Sequence, residues 1–202
     1  STVFPGVTRK VEAWFAERDW HIFDFQREAW AAQAAGQSGL IHAPTGTGKT
    51  LAAWFGAVNA WWQGAADTTT TPGLTVLWIT PLRALAADTT GHLERSAAEL
   101  GLPWSVERRT GDTKSHVKQR QRKKLPSALV TTPESLNLLL SYADHEKMFA
   151  NIQTVVVDEW HELLSTKRGV ALELGLSRLR AINPKLATWG LSATLANLDE
   201  AG

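Results

Sequence analysis

One stretch decides the fold of this chain: Ala43-Pro44-Thr45-Gly46-Thr47-Gly48-Lys49-Thr50. It follows a short apolar run at residues 39–42, which predicts a buried strand, and it precedes an apolar segment from residue 51, which predicts a helix. A strand that enters a helix through a glycine-rich turn aims several backbone N–H groups at one point. The glycines carry no side chain, so the backbone can approach a ligand closely. The stretch therefore predicts an anion site at a helix N-terminus.

The last two residues of the stretch indicate which anion binds. The Lys49 side chain is long enough to reach the β- and γ-phosphates of a nucleotide, and the Thr50 hydroxyl can hold Mg²⁺. The alternative is a glycine-rich turn with an incidental lysine, and Ala43 departs from the usual pattern, in which the first position is glycine. We predict a nucleoside triphosphate site formed by Thr45, Gly46, Thr47, Gly48, Lys49 and Thr50.

The composition of the chain limits its class. Its 202 residues, 44% of them hydrophobic, suit one sizeable α/β domain with its own core. The chain has no cysteine, which excludes disulfides and thiolate metal sites and fits a reducing cytoplasm. No apolar run approaches the length of a membrane span. The sequence therefore predicts a cytoplasmic location and no membrane partner.

Predicted strands alternate with predicted helices along most of the chain. This alternation indicates a doubly wound, mostly parallel sheet with helices on both faces, and the β-branched run at residues 151–157 predicts its central strand. We expect helices within residues 1–36 to pack on this domain, which spans residues 37–202. Pro81 is expected in the first turn of a helix. Polar motifs that follow the strands should meet at one sheet edge, where open α/β sheets bind ligands.

Gln26 lies upstream of the phosphate loop and is a candidate contact for a nucleotide base. Its side-chain amide can pair with adenine through two hydrogen bonds, accepting from N6 and donating to N7. The alternative for an isolated glutamine is a helix-surface residue. Phe23 or Arg18 could stack on the base, and the sequence does not separate these two.

Two adjacent carboxylates, Asp158 and Glu159, end the apolar run at residues 151–157. Asp158 is placed to bind Mg²⁺, and Glu159 is placed to orient or deprotonate the attacking water. The alternative is a solvated helix N-terminus, which carboxylates also favour. His161 is expected to contact both the nucleotide side and residues 192–194, although a lone histidine is more often a core residue.

Taken together, these residues resemble the superfamily 2 DExH helicases. Order and spacing agree over nearly the whole chain with the motifs of that superfamily: Gln26 with the Q motif, residues 43–50 with motif I, 80–85 with motif Ia, 110–112 with motif Ib, 131–136 with the next DNA-contact motif, 158–161 with the DExH box and 192–194 with motif III. Residues 25–30 (FQREAW) and 158–164 (DEWHELL) resemble the Lhr (large helicase-related) group. The tryptophan in the box favours its bacterial, ligase-associated branch.

The resemblance implies an ATP- and Mg²⁺-dependent motor with the RecA-like fold of P-loop NTPases. Such a motor moves 3′ to 5′ along single-stranded DNA and separates DNA or RNA–DNA duplexes, here with a role in DNA repair. His161, Ser192 and Thr194 would couple ATP to movement. The residues expected along the strand are Pro81, Arg83, Thr110, Gly111, Asp112, Thr132, Pro133 and Glu134. Hydroxyls and helix N-termini of this kind contact phosphates without reading the base sequence.

The resemblance also implies that this chain is the first RecA-like domain of a larger helicase. A second RecA-like domain, with further C-terminal domains, should follow residues 192–194 and bring arginines to the γ-phosphate. We expect the chain alone to bind nucleotide weakly and to hydrolyse little ATP. The basic residues 118–124 fit either nucleic-acid attraction or a solvated helix face.

Two other functions remain open from the sequence. One is a duplex translocase that does not unwind, and the other is a nucleotide-binding module that regulates or assembles a partner. A small-molecule phosphotransferase is disfavoured because Asp158, Glu159, His161 and residues 192–194 would have no role in it.

Overall fold

A parallel sheet of six strands forms the centre of the molecule. The computed structural model describes residues 7–44 and 46–192. Within these ranges the strands are β1 Gly39–His42, β2 Val76–Ile79, β3 Val106–Arg109, β4 Ala128–Thr131, β5 Thr154–Val157 and β6 Ala187–Ser192. They lie in the order β1-β6-β5-β2-β4-β3, and all five neighbouring pairs are parallel. The prediction of a doubly wound parallel sheet with residues 154–157 near its centre is confirmed.

Helices cover both faces of this sheet. In the described ranges they are α1 Val7–Glu17, α2 Asp24–Ala34, α3 Gly46–Gly64, α4 Arg83–Glu99, α5 Ser115–Lys123, α6 Pro133–Leu140, α7 His145–Met148, α8 Trp160–Leu164 and α9 Arg168–Ile182. Alternate residues of β2 face opposite sides, so Val76 and Trp78 join one core while Leu77 and Ile79 join the other. The first core contains residues of α1 to α4, and the second contains residues of α6, α8 and α9.

The two N-terminal helices pack against α3. The Trp30 Nε1 atom of α2 donates to the Leu51 carbonyl at 3.2 Å, and the Gln33 Nε2 atom donates to the Ala52 carbonyl at 2.9 Å. Trp14 and the other apolar residues of α1 lie in the same core as α3. This packing holds the segment around Gln26 against the helix that starts at the phosphate loop. A domain boundary at residue 36 stays a prediction.

Two local predictions were wrong. β1 was expected to be buried, but it is an edge strand, and Leu40 is 52% exposed. The apolar run has the composition of a central strand, but within the described sheet only β6 pairs with it. Pro81 was expected in the first turn of a helix, but α4 begins at Arg83 after the extended residue Leu82. The segment before α4 is a turn in which the Leu82 N–H donates to the Thr80 hydroxyl at 3.4 Å.

A helix that spans a bilayer must be both long and apolar. Across the described residues, no helix combines enough length with enough apolar character to cross a membrane.

Candidate nucleotide and nucleic-acid site

The phosphate loop leads directly into a helix, as the sequence predicted. α3 begins at Gly46, so the first-turn N–H groups face the loop. A Cβ atom added at Gly46 would meet no atom within 4 Å. The glycine therefore avoids no clash within the protein and leaves the space beside the backbone open. Lys49 is 7% exposed and follows the same turn. Thr45 lies outside the described residues.

The two acidic residues, Asp158 and Glu159, follow a central strand of the sheet and lie at the same sheet edge as the phosphate loop. β5 ends at Val157 beside Ile79 of β2, and the Asp158 N–H donates to the Ile79 carbonyl at 2.8 Å. Burial raises the pKa of the Asp158 carboxyl, and the neighbouring Glu159 charge raises it further, whereas the hydrogen bond from the Glu159 N–H and, with a smaller effect, the Lys49 charge lower it. β1 and β5 both pair with β6 in parallel, so the phosphate loop and the acidic pair follow strand ends at the same edge of the sheet.

The backbone at Glu159 has an uncommon conformation. Its φ is +50°, and Asp19 is the only other non-glycine residue with a positive φ among the described residues. Such a conformation costs about 1–3 kcal/mol and persists where the surroundings impose it, often at functional sites. The Glu159 N–H donates to the Asp158 Oδ1 atom at 3.0 Å, which ties the Asp158 carboxylate to the backbone of Glu159.

The donor groups at this edge fit a divalent cation. The Thr50 hydroxyl donates its hydrogen to the Gly46 carbonyl at 3.1 Å, which leaves its lone pairs for a metal. The Asp158 carboxyl is a hard oxygen ligand whose charge is destabilised by burial, so a nearby cation would favour its ionised form. Glu159, His161 and Glu162 also place one potential ligand atom each within 4.8 Å of one another.

Gln26 borders a cavity of about 350 Å³ beside the phosphate loop. The side chain is buried; its Oε1 atom accepts from the Phe23 N–H at 2.9 Å, and its Nε2 atom donates to the Gly48 carbonyl at 3.2 Å. A carboxamide has a second N–H and a second lone pair, so it can still pair with a base. Gln26 therefore ties the phosphate loop to the start of α2 at the wall of this cavity.

The residues that line the cavity show which of the two proposed stacking residues, Phe23 or Arg18, is the better candidate. Phe23 and Trp20 line the cavity and are 44% and 45% exposed. The Arg18 guanidinium lies 3.7 Å from the centre of the Trp14 ring and forms an ion pair with Glu99. Arg18 is not among the lining residues, so Phe23 is the better candidate. Trp20 was not predicted, because nothing in its sequence position distinguishes it from a core tryptophan.

Ser192 has a partner that the sequence did not suggest. Its Oγ atom lies 2.7 Å from the Nδ1 atom of His42, the last residue of β1, which is 150 positions away. Both residues end neighbouring parallel strands in direct register. Within the described residues the His161 Nδ1 atom is buried without a hydrogen bond. The expected coupling role of His161 and Ser192 stays a prediction, and Thr194 lies outside the described residues.

The first two segments expected along a nucleic-acid strand meet at the same edge. A Cβ atom at Gly111 would lie 3.3 Å from the Arg83 Nη2 atom, so these residues are neighbours. The Thr110 hydroxyl donates to the Asp112 carboxylate, and this bond, with smaller effects from Arg83 and Arg108, lowers the pKa of Asp112. Arg83 and Gly111 are both exposed.

The third expected segment is joined to the first by Arg168. Its Nε and Nη2 atoms donate to the Glu134 carboxylate at 2.6 and 2.9 Å, and its Nη1 atom donates to the Pro81 carbonyl at 2.6 Å. Thr132 caps α6 by accepting from the Ser135 N–H at 3.3 Å, and Pro133 is the first residue of that helix. Arg168 was not predicted, because its partners are 34 and 87 positions away.

Comparison with known proteins identifies the family. The sequence model described as DEAD/DEAH box helicase matches residues 23–201. The chain belongs to the DEAD/DEAH box helicase family. It is 37% identical over 98% of its length to a Lhr helicase and probable uracil glycosylase of Mycolicibacterium smegmatis, and covers 13% of that protein. It is also 37% identical over 98% of its length to an ATP-dependent helicase Lhr-Core protein 2 of Thermococcus barophilus, of which it covers 24%.

A solved structure supports the same assignment for this helicase domain. The Mycobacterium smegmatis helicase Lhr, bound to single-stranded DNA and AMP-PNP, superposes with a TM-score of 0.75 at 35% identity. The match covers 95% of this chain and 25% of that one. The predictions of a RecA-like fold, of the first RecA-like domain and of the Lhr group are confirmed. The chain spans at most about a quarter of the length of these relatives, and its place in the ligase-associated branch stays a prediction.

Proposed function

We propose that this Lhr-type motor domain binds ATP and single-stranded DNA within a longer helicase. That helicase moves 3′ to 5′ and separates DNA or RNA–DNA duplexes in DNA repair. One observation carries the proposal: β1, which leads into the phosphate loop, and β5, which leads into Asp158 and Glu159, both pair with β6 in parallel, so Lys49 and the acidic pair belong to one sheet edge. An amine and two carboxylates beside a helix N-terminus suit a metal-bound triphosphate.

The cavity beside Gln26 is proposed to take the adenine base. Its volume of about 350 Å³ suits a purine, and it lies against Thr47 and Gly48 of the phosphate loop. The contact between Gln26 and the Gly48 carbonyl links recognition of the base to the position of the loop.

The reacting end of the nucleotide is proposed to lie between Lys49 and Glu159. Thr50 and Asp158 would hold Mg²⁺, which neutralises phosphate charge when bound. Lys49 would bind the β- and γ-phosphates, while Glu159 orients the attacking water and accepts its proton. The hydrogen bond from the Glu159 N–H to Asp158 would orient the carboxylate that holds the metal.

The strand is proposed to cross the loops that follow β2, β3 and β4. Arg83 would contact phosphates, with Gly111 giving the backbone close access. The bond network from Arg168 to Glu134 and Pro81 would hold two of these loops at a fixed separation. A second RecA-like domain of the longer protein would add arginines at the γ-phosphate, and without it hydrolysis should be slow.

ATP hydrolysis by the full-length protein, measured with and without single-stranded DNA, tests the proposal. We expect the strand to stimulate hydrolysis, because its phosphates and the triphosphate bind loops of the same sheet edge. An equal rate with and without nucleic acid would contradict both the motor function and the proposed strand path.

A further inference from the structure

A basic groove runs along α5, outside the motifs described above. It has a volume of about 770 Å³ and lies between α5 and Tyr142. In the described part of the chain none of its lining residues is acidic, and five are Arg or Lys: Arg109, Lys118, Arg120, Arg122 and Lys123. A concave surface lined by positive charges concentrates anions from solution.

Arg109 forms part of this groove although its side chain is nearly buried. The residue is 6% exposed, and its Nη1 atom donates to the Lys118 carbonyl at 3.2 Å. A guanidinium has five N–H donors, and a buried charge is costly without a counter-charge. No carboxylate of the described residues forms an ion pair with Arg109. The groove therefore holds a positive charge that no carboxylate of these residues neutralises.

The other cations divide into two groups. Arg120 pairs with Glu107 at 3.0 Å, and Arg122 pairs with Asp144 at 2.8 Å, so their charges are balanced. Lys118 and Lys123 form no ion pair within the described ranges; the Lys118 Nζ atom instead donates to the Gly111 carbonyl at 3.1 Å. The excess charge of the groove thus comes from Arg109, Lys118 and Lys123.

The groove is continuous with the proposed path of the nucleic-acid strand. Lys118 connects it to Gly111, and Gly111 lies beside Arg83. We propose that the groove binds the phosphates of a nucleic-acid strand after it leaves the motif loops, so that α5 extends the strand site. This inference rests on the proposed function, because it requires a strand at Gly111.

The geometry favours backbone phosphates over bases. Tyr142 is the aromatic residue of the groove, and the Arg122 guanidinium already covers its ring at 3.9 Å from the centre. Most of the other lining residues are arginines and lysines, whose charged donors bind phosphate oxygens without reading sequence, and Ser115, His116 and Gln119 add polar side chains. Binding to the groove should therefore depend on salt and strand length, and be independent of base sequence.

Lys123→Gln in the full-length protein tests this site, with Lys124→Gln as the matched control. The two lysines are neighbours and both are exposed, but Lys124 does not line the groove. Binding is measured with single-stranded DNA of about 16 and about 4 nucleotides, the range of strand lengths that single-strand sites cover. Each lost phosphate contact should reduce the slope of log affinity against log salt by about 0.7, equivalent to about fivefold between 1 M and 0.1 M salt.

We expect Lys123→Gln to weaken binding of the long strand about fivefold at 0.1 M salt and to leave the short strand unchanged. Lys124→Gln should behave as the unmodified protein. Unchanged long-strand affinity and salt slope in Lys123→Gln would overturn the inference while leaving the proposed function intact. No strand binding by the unmodified protein would overturn both.

A free polyphosphate is the other possible source of the same chemistry. Titration with inorganic tripolyphosphate separates the two sources. If Lys123→Gln weakens binding of tripolyphosphate but not of the long strand, the groove takes a free anion and the inference is wrong. If the long strand competes with tripolyphosphate and Lys123→Gln weakens the binding of both, the inference is supported.

Discussion

The Nδ1 atom of His42 lies 2.7 Å from the Oγ atom of Ser192. This contact joins the strand that leads into the phosphate loop to the strand that leads into the last motif. A side-chain hydrogen bond of this kind contributes about 0.5–1.5 kcal/mol to stability. Because β1 is the edge strand beside β6, the contact adds a side-chain link to the backbone ladder that holds this edge.

We predict that His42 and Ser192 are energetically coupled. In a double-mutant cycle with His42→Ala and Ser192→Ala, the coupling in the free energy of unfolding should be about 0.5–1.5 kcal/mol. Ser38→Ala provides the control, since the Ser38 Oγ atom accepts from the Thr188 N–H of β6 at 2.9 Å on the same strand pair. Coupling near zero for His42 with Ser192 would mean that the contact contributes nothing.

Gln26→Ala should reduce the preference for ATP over GTP. A bidentate amide–base contact discriminates by about 1–3 kcal/mol, so the ratio of affinities should fall roughly tenfold or more. Gln33→Ala is the control, because Gln33 is also a buried glutamine of α2 that donates to α3 but does not line the cavity. That variant should lose stability and retain the base preference. The same ratio in Gln26→Ala and the unmodified protein would exclude the base contact.

Phe23→Ala should weaken nucleotide binding. Loss of one base–aromatic stack costs about 1–3 kcal/mol, measurable as a higher Kd for ATP in a calorimetric titration. Arg18→Gln should leave this Kd unchanged, since the Arg18 guanidinium covers the Trp14 ring and pairs with Glu99. The reverse result would assign stacking to Arg18.

Arg168→Gln should raise the pKa of Glu134. The Arg168 guanidinium is the main reason that this pKa is below its ordinary value. A lowered carboxyl pKa adds stability above the unfolded pKa, and that stability is lost as the pH falls through the folded pKa. The acid dependence of unfolding should therefore be shallower in Arg168→Gln. NMR titration of the Glu134 carboxyl measures the shift directly.

Arg178→Gln is the matched control for Arg168. Arg178 lies on the same helix and donates to the Leu140 carbonyl at 2.6 Å, but it has no bond to Glu134. Its replacement should leave the pKa of Glu134 unchanged. An unshifted pKa in Arg168→Gln would show that the carboxylate does not depend on this guanidinium.

Sequence patterns predicted the features that depend on local order. The strand–glycine–helix stretch and the β-branched run gave the positions of α3 and β5, because composition and periodicity act over a few residues. The exposure of β1 was missed, because an edge strand and a central strand can share one apolar composition.

Contacts between distant side chains could not be predicted in the same way. His42 meets Ser192 across 150 positions, and Arg168 meets the Pro81 carbonyl across 87. Neither histidine nor arginine carries a local signal for such a partner. The strand order and register of the folded sheet create these pairs, so they emerge only once the sheet is known.

The central claim is that Lys49 and Glu159 act on one bound triphosphate, and Glu159→Gln tests it most directly. A positioned proton acceptor contributes about 10²–10⁴-fold to rate, so hydrolysis by the full-length protein with single-stranded DNA should fall by that factor. ATP binding should persist, because Lys49 and the phosphate loop are unchanged. Glu173→Gln, the same change at an exposed position of α9, should keep the parental rate. Parental hydrolysis by Glu159→Gln would contradict the account.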